Sequence, residues 1–464
     1  MCQFEEKVRR FHEAGEFFDC GEPVFIGRAP GRLDLMGGNV DYTGGLVFEM
    51  NIREATWAAA QLRNDNRIVL RNPQMLEHGW NADVEFWLED LNDESVVRTL
   101  VNKSPAVRWT AYVLGVLFYL RKRFPSETQT GINVYLESNV PLNKGVSSSA
   151  AVEVATMKTA SHAYGIGLKG IELARACQWV ENTIAESACG IMDQAAIVLG
   201  REGCCLPLLC QPCTPFPTVK MPSDLTVWGI DSGIRHAVTG IEYEAARAAC
   251  FMGYKLICDW EGLKLQIEES DGISRYVDTR WNGYPSNIPP SKFRSTYEQR
   301  LPEVWTGAEY LQNAEFHIDP YTQVRPEVPY RIRACMRYAV EENHRIQTFV
   351  ELFRSSAGTS AESTFTLLGE LMYQSHYSYT ECGLGSEATD MLVDLVREEG
   401  AKAGLFGAKI TGGGAGGTVV VLARNDAADA FSYVVQRYKE HTGVFPYVFE
   451  GSSGGADQYG IVQA

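Results

Sequence analysis

The chain has 464 residues, of which 45% are hydrophobic and 22% are charged; this composition is typical of a folded protein, and the length favours two domains. The formal net charge of −16 excludes the broad basic surface that a nucleic-acid-binding protein needs. A polyanionic ligand would have to be held locally, by backbone N–H groups, a helix terminus or a metal ion. The longest apolar run, at residues 109–120, is too short to cross a bilayer and predicts a buried helix.

The N-terminus is charged and amphipathic and has no signal-peptide apolar segment, and the 12 cysteines are scattered, which favours free thiols in a reducing cytoplasm. Four cysteines lie close together, and the last two have the spacing of zinc ligands, although no second such pair follows. Small buried hydrophobes are the favoured interpretation, and metal binding is the alternative. The cluster comprises Cys204, Cys205, Cys210 and Cys213.

Strands and helices alternate along the chain. Strands are predicted at residues 24–29, which lead into a Gly/Pro turn, and at 45–52, 131–140 and 225–230. Helices are predicted at 147–163, 168–186, 241–258, 329–352, 361–379, 387–399 and 426–441. Near the end, a glycine-rich loop at 411–417 separates two further strands at 403–410 and 418–423.

A cluster of prolines between residues 207 and 222 marks the predicted domain boundary. We therefore expect an N-terminal domain over residues 1–222 and a C-terminal domain over residues 223–464. Residues 259–330 are polar and rich in turn residues, which predicts an insertion or an extended connection.

The segment after the strand at 131–140 has the features of an anion site. Asn143 and Gly145 can adopt left-handed backbone angles, and three serines then open an alanine-rich helix. The N–H groups and the dipole of a helix start attract phosphate, Lys144 adds a positive charge, and a serine hydroxyl can ligate Mg²⁺. An ordinary N-capped helix with small residues for close packing explains the same pattern.

The glycine-rich loop contains Gly412-x-Gly414-x-x-Gly417, which matches the glycine spacing of the dinucleotide-binding fingerprint. That fingerprint must open a helix, whereas a strand is predicted after this loop, so the dinucleotide interpretation is rejected. The standard phosphate-binding loop is absent as well, because the sequence contains no Gly-Lys pair. The segment predicts an open turn between two strands.

Two carboxylates stand out between residues 181 and 194. Glu181 lies within a helical pattern, and Asp193 follows Gly190. One of them can hold Mg²⁺ while the other faces a substrate hydroxyl. Taken singly, each carboxylate is more often a helix cap or a surface group.

In combination these segments resemble the GHMP small-molecule kinase superfamily and, within it, the galactokinase branch. The resemblance rests on four motifs: GRLDLMGGNVDY at 31–42, PLNKGVSSSA at 141–150, CGIMDQ at 189–194 and TGGGAGG at 411–417. Shorter matches are Arg235-His236, Tyr243 and Ser375-His376-x-Ser378. The segments RAPGRLD, WGIDSGIRH and FEGSS are most similar to the arabinokinases of that branch. The matches run from about residue 24 to about residue 457, so they cover nearly the whole chain.

The resemblance implies an α+β, two-domain GHMP kinase fold with an S5-like N-terminal domain, a ferredoxin-like C-terminal domain and the active site in the cleft between them. It implies a sugar 1-kinase with Mg²⁺ as cofactor and ATP as co-substrate, acting on a monosaccharide, with neither a nucleic-acid nor a membrane partner. The ATP phosphates are expected on Asn143, Lys144, Gly145, Val146, Ser147, Ser148 and Ser149, and Gly413 and Gly414 at the nucleotide–sugar junction.

Roles carried over by position assign the chemistry to four residues. Asp193 is expected beside the anomeric hydroxyl, and Arg32 beside both Asp193 and the transferred phosphoryl group. Ser149 and Glu181 are the expected Mg²⁺ ligands. A carboxylate accepts or orients the hydroxyl proton, and a guanidinium offsets the charge of the phosphoryl group. The sugar hydroxyls are expected to be read by Asp41 and Tyr243.

One departure from the galactokinase motif bears on the substrate. Gly38 and Asn39 stand where galactokinases have Glu-His, and that Glu lies near C6 of galactose. Loss of this acceptor fits a pentose without C6, and L-arabinose has the ring hydroxyls of galactose. Galactose and galacturonate are the alternatives within the class. A non-catalytic sugar and ATP sensor is a further alternative, which the presence of Arg32, Glu181 and Asp193 disfavours.

Overall fold

The computed structural model describes residues 3–233, 241–270, 273–356 and 362–464. The strands are β1 (Phe25–Met36), β2 (Leu46–Leu62), β3 (Arg67–Arg71), β4 (Asp83–Trp87), β5 (Ile132–Ser138), β6 (Cys204–Leu209), β7 (Thr214–Pro215), β8 (Val219–Lys220), β9 (Leu225–Asp231), β10 (Gln266–Ser270), β11 (Ile273–Val277), β12 (Trp305–Thr306), β13 (Pro329–Tyr330), β14 (Leu405–Ile410), β15 (Thr418–Arg424), β16 (Val448–Glu450) and β17 (Ile461–Gln463). The helices are α1 (Gln3–Ala14), α2 (Glu94–Val101), α3 (Ala111–Arg123), α4 (Ser148–Ala163), α5 (Gly170–Thr183), α6 (Met192–Leu199), α7 (Ile241–Trp260), α8 (Pro290–Lys292), α9 (Gly307–Asn313), α10 (Ile332–Ser355), α11 (Glu362–Glu381), α12 (Glu387–Glu399), α13 (Ala428–Thr442) and α14 (Ala456–Tyr459).

Nine strands form the first sheet. Its main path runs β17-β1-β2-β5-β3-β4, and β6 pairs with β2 as well as with β7 and β8. The pairs are antiparallel except β3 with β5, which is parallel. The alanine-rich helix α4 packs across β1 and β2, because its small side chains allow a close approach to the sheet. This packing brings the start of α4 close to the middle of β1.

The first strand is longer than predicted. The sequence predicts that a strand ends in a Gly/Pro turn after residue 29, whereas β1 continues to Met36. Pro30 pairs with Ala55 and Arg32 with Asn51, so the register shifts between them. A proline cannot donate a ladder hydrogen bond, and such an irregularity is where a strand tolerates one. The turn-like composition of this segment therefore marks an irregular strand.

Four antiparallel strands form the second sheet, in the order β14-β15-β9-β16. Helix α11 lies directly against β14. A Cβ on Gly369 of this helix would lie 1.8 Å from the carbonyl oxygen of Phe406, so only glycine permits the contact. The prediction of a strand, a glycine-rich turn and a second strand is confirmed by β14 and β15.

The boundary predicted between residues 222 and 223 falls between β8 of the first sheet and β9 of the second. The last strand, β17, returns to the first sheet and pairs with β1, Phe25 opposite Gln463. The sheets therefore divide differently from the predicted ranges, because this terminal strand belongs to the first sheet. The domain division itself stays a prediction.

Residues 259–330 contain helices and strands of their own, and their description as an insertion stays a prediction. They hold the β10–β11 hairpin, α8, α9 and β12, which pairs with β13. Arg247 of α7 makes a buried bidentate ion pair with Asp319, with Nε to Oδ2 at 2.7 Å and Nη2 to Oδ1 at 2.9 Å. This segment is thereby fixed to α7.

The helix predicted at 109–120 is confirmed as α3, and most of its side chains are buried. Within the described ranges, no helix combines the length and the apolar character needed to span a bilayer. In the cysteine cluster, Cys205, Cys210 and Cys213 are buried, Cys204 is partly exposed, and all four are free thiols. Burial of these three side chains agrees with the interpretation as small hydrophobes.

Candidate functional site

The loop between β5 and α4 has the backbone predicted for an anion site. Asn143 and Gly145 adopt positive φ angles of 58° and 72°, and Ser147 adopts one of 61°. The helix begins at Ser148, so the serines lie at its positive end. A cavity of about 730 Å³ opens at this helix start. Its lining includes Asn143, Lys144, Gly145, Ser147, Ser148 and Ser149, whereas Val146 is buried behind the loop.

Three aromatic side chains form part of the wall of this cavity, and no sequence motif predicts this aromatic wall. Trp80, Trp109 and Tyr112 line the cavity, and the indole nitrogen of Trp109 is fixed by donating to the carbonyl of Asn81 at 2.9 Å. Flat aromatic faces suit a planar heterocyclic base. These residues come from separate segments with no shared motif, and the apolar run containing two of them predicted only a buried helix.

Lys144 forms an ion pair with a residue of the second sheet. Its Nζ lies 2.6 Å from Oδ2 of Asp231 at the end of β9, and both side chains are largely buried. Lys144 also lines the first cavity, so its expected contribution of positive charge to phosphate binding stays a prediction. The ion pair ties the nucleotide loop to the second sheet.

The glycine-rich turn between β14 and β15 packs against the nucleotide loop. A Cβ on Gly412, where φ is +72°, would lie 2.4 Å from the carbonyl oxygen of Gly145. Thr418 donates its hydroxyl to the carbonyl of Lys144 at 2.7 Å. The backbone of the turn thus closes one side of the site, and Gly413 and Gly414 face a second cavity of about 470 Å³.

Arg32 and Asp193 are in direct contact where the two cavities meet. Nε and Nη2 of Arg32 donate to Oδ1 of Asp193 at 3.0 and 2.7 Å, and Nη1 donates to the carbonyl of Gly145. Burial lowers the pKa of Arg32, but the charges of Asp193 and Glu49 outweigh burial and hold it above its usual value. The guanidinium therefore stays charged beside the carboxylate, as the sequence predicts.

The predicted metal ligands are also in contact. The hydroxyl of Ser149 donates to Oε1 of Glu181 at 2.8 Å, and Gln194 donates to Oε2 at 2.6 Å. Burial, with the charge of Asp193, raises the pKa of Glu181 to about 7. Glu153, one helical turn after Ser149, is fully buried with both carboxylate oxygens lacking a hydrogen-bond donor.

A cation fits this arrangement, because it would offset the buried negative charge around Glu181. Hydroxyl and carboxylate oxygens are ligands that Mg²⁺ prefers, and Mg²⁺ usually takes few protein ligands beside water and phosphate. No cluster of three or more His, Cys, Asp or Glu side chains suited to a metal occurs in the part of the chain that the structure describes. Ser149 and Glu181 are two adjacent oxygen donors that could hold such a cation beside a phosphate.

The second cavity is small, polar and continuous with Arg32 and Asp193. Asn39, Asp41 and Tyr243 line it, together with Gly190. A Cβ on Gly190 would lie 1.8 Å from Oδ2 of Asp41, so the carboxylate packs directly against this glycine. The predicted sugar-reading residues are therefore brought together at one cavity.

Gly38 is placed differently from the other predicted sugar residues. Gly38 is buried, and it is not among the described residues that line this cavity. A Cβ at this position would lie 2.6 Å from both Oδ2 of Asp34 and the hydroxyl of Tyr379. Tyr338 donates its hydroxyl to the carbonyl of Gly38 at 2.6 Å. The space beside Gly38 is thus filled, and residue 38 presents no side chain to the cavity.

We expect sugar binding to weaken at low pH through Asp41. Burial, together with the charge of Asp193, raises the pKa of Asp41 to about 6, although backbone hydrogen bonds and the charge of Arg247 oppose the shift. Below that pKa the group loses the charged form that accepts hydroxyl hydrogen bonds. The dissociation constant of the sugar should rise about tenfold between about pH 7 and pH 5.

Calorimetric titration of sugar without ATP or metal measures this effect, because Glu181 then has no metal to bind. Asp41→Asn should bind more weakly at neutral pH and lose the dependence on pH. An unchanged pH profile in that variant contradicts the assignment.

The shorter sequence matches have mixed outcomes. His376 lies on α11, where Nε2 is 3.1 Å from Oδ1 of Asp390 on α12, and Nδ1 accepts from the backbone of Ile410 at 3.4 Å. It joins two helices to β14 and lies away from the cavity linings. Arg235 and His236 lie outside the described residues.

Three family models match the chain. The GHMP kinases N terminal domain matches residues 111–201, the galactokinase galactose-binding signature matches residues 15–62, and the GHMP kinases C terminal model matches residues 338–440. These ranges contain α4, Asp193 at the start of α6, Arg32 on β1 and the β14–β15 turn, which build the site.

The chain is similar to curated proteins along its length. It is 35% identical to L-arabinokinase of Arabidopsis thaliana over 99% of this chain and 48% of that protein, so it spans about half of that relative's length. It is 30% identical to galactokinase of Chloroflexus aurantiacus over 91% of this chain and 90% of that protein.

Solved structures share the fold. Lactococcus lactis galactokinase complexed with galactose superposes with a TM-score of 0.76 at 21% identity, covering 98% of this chain and 99% of that one. A mevalonate kinase structure superposes with a TM-score of 0.55 at 16% identity, covering 93% and 99%. The predicted α+β GHMP kinase fold is confirmed.

Proposed function

We propose, from the premise that the chain belongs to the galactokinase branch of the GHMP kinase family, that it is an ATP-dependent sugar 1-kinase. In this proposal the chain phosphorylates the anomeric hydroxyl of L-arabinose and yields L-arabinose 1-phosphate and ADP. L-arabinose is chosen over galactose because of the similarity to the arabinokinase and because of the residues around Gly38.

The contact between Arg32 and Asp193 carries the proposal. Both residues line the cavity at the start of α4 and the smaller polar cavity. A nucleotide in the first cavity and a sugar in the second would meet at this pair. Phosphoryl transfer depends mainly on positioning and on stabilising charge, and this contact supplies a fixed carboxylate and a fixed cation at the meeting point.

Each residue then has a distinct part in the transfer. Asp193 accepts or orients the proton of the anomeric hydroxyl, which attacks the γ-phosphorus of ATP, and ADP leaves. Arg32 offsets the charge of the passing phosphoryl group. Ser149 and Glu181 would hold Mg²⁺, which neutralises phosphate charge when bound. The aromatic wall at Trp80 and Trp109 would receive the base.

Arabinose is favoured over a hexose by the filled space beside Gly38. Asp34 and Tyr379 occupy the volume into which a side chain at residue 38 would project, so no acceptor from this position reaches the cavity. A C6 hydroxyl would find no partner from residue 38 here, whereas a pentose requires none. Asn39 is the side chain that this segment presents instead, with its Nδ2 3.4 Å from the carbonyl of Gly413.

ADP release with equal concentrations of L-arabinose, D-galactose and D-galacturonate tests the proposal. We expect kcat/KM for arabinose to exceed that for galactose by about 10- to 200-fold, the range typical of a small substituent difference in a pocket. A preference for galactose or galacturonate would keep the kinase and refute the inference from Gly38. ATP binding without turnover of any sugar would instead favour a non-catalytic sensor.

A further inference from the structure

Ser147 makes a contact that a phosphate-binding loop does not require. Its hydroxyl donates to Oδ2 of Asp193 at 2.5 Å, and the residue is 8% exposed. From the sequence, Ser147 is expected only among the residues that hold ATP. The structure directs its side chain at the carboxylate instead.

The backbone at Ser147 is adapted to this contact. Its φ angle of 61° lies in the left-handed region, which a non-glycine residue adopts only at a cost. A serine just before a helix ordinarily caps the first-turn N–H groups, but Ser147 makes no such side-chain hydrogen bond to α4. Ser147 therefore does not cap the helix, and its hydroxyl instead donates to Asp193.

Hydrogen-bond donors from the described residues occupy all but one of the acceptor positions of the Asp193 carboxylate. Oδ1 accepts two N–H groups of Arg32, which occupy both of its lone-pair directions. Oδ2 accepts the hydroxyl of Ser147 and retains one free direction. A sugar hydroxyl can therefore approach only Oδ2 without displacing a donor.

We infer that Ser147 is a positioning residue that holds the plane of the Asp193 carboxylate so that Oδ2 receives the anomeric hydroxyl; this inference rests on the proposed kinase function. Ser147 belongs to the nucleotide loop, so the loop that would hold the phosphates also fixes the acceptor of the hydroxyl proton. A hydrogen bond to the charged carboxylate restrains its rotation about the Cβ–Cγ bond. Loss of the bond should therefore disturb the orientation of Asp193.

Ser147→Ala and Ser147→Gly form a matched pair that tests this inference. Alanine removes the hydroxyl and keeps the backbone cost, whereas glycine removes both. Both variants should lower kcat about 10- to 100-fold, the loss expected for a hydrogen bond to a charged group. KM for ATP should change less than kcat in both variants, because the backbone of the loop and the aromatic residues of the cavity remain. Recovery of kcat in Ser147→Gly would overturn the inference, because the backbone alone would then explain the loss.

A structural measurement keeps the inference separate from the kinase proposal. In a crystal structure of Ser147→Ala, the Asp193 carboxylate should rotate or occupy two orientations, whatever sugar the enzyme uses. An Asp193 carboxylate in the same single orientation overturns the positioning role. Absence of turnover in the unaltered protein with every sugar, beside a rotated carboxylate in the variant, would refute the proposed function and leave the positioning role standing.

Discussion

Replacing Asp193 by asparagine is expected to lower sugar-dependent ADP release by about 10²- to 10⁴-fold, the usual contribution of a positioned general base or orienting carboxylate. The amide has nearly the same shape but carries no charge, so it accepts a proton poorly and loses its ion pair with Arg32. KM for ATP should change little, because the loop and the aromatic wall remain. Steady-state kinetics with the preferred sugar measures both quantities.

A matched control is Asp83→Asn, which breaks an exposed arginine–carboxylate pair between Arg71 and Asp83 on β3 and β4. This variant should keep both kcat and KM. If Asp193→Asn retained more than about a tenth of the activity, catalysis would not depend on the carboxylate, and the role of Arg32 would have to be argued on other grounds.

Replacing Lys409 by methionine is expected to destabilise the fold by about 3–5 kcal/mol, the range measured when one partner of a buried ion pair is removed. Nζ of Lys409 lies 2.8 Å from Oδ2 of Asp34, and both side chains are fully buried. The same ammonium donates to the carbonyl of Ile410 at 2.7 Å. Methionine fills the volume but leaves a buried carboxylate without its cation.

Denaturant unfolding measures this loss against Lys122→Met, which removes an exposed pair with Glu94 and should cost at most about 1 kcal/mol. The double variant Asp34→Asn/Lys409→Met should recover part of the stability, since no unpaired charge is then buried. A loss below about 1 kcal/mol in the single variant would show that water or a proton already compensates Asp34.

Structural features that depend on motifs with a fixed local spacing could be predicted from the sequence. The loop backbone at Asn143 and Gly145 follows from which residues tolerate left-handed angles, and the strands beside the glycine-rich turn follow from their apolar pattern. The contacts of Arg32 with Asp193 and of Ser149 with Glu181 agree with the roles that the resemblance implies, although those roles stay proposals.

Contacts between single residues that are far apart in the sequence could not be predicted from it. Asp34 on β1 and Lys409 on β14 come from different sheets, and Asp231 reaches Lys144 from the end of β9. Trp80 and Trp109 face one cavity without sharing a local pattern. The course of β1 through Pro30 was mispredicted, because local composition describes a turn and pairing with β2 overrides it.

The return of β17 to β1 has a consequence for synthesis of the chain on the ribosome. The outer edge of β1 obtains this partner only when residues 461–463 have been made, after the whole second sheet. Until then, the N–H and C=O groups along this edge of β1 are unpaired, and Arg32 lies a few residues further along the same strand. Unpaired edge groups of this kind promote pairing between nascent chains. Pairing along this edge of the strand that bears the site thus cannot form before residues 461–463 have been synthesised.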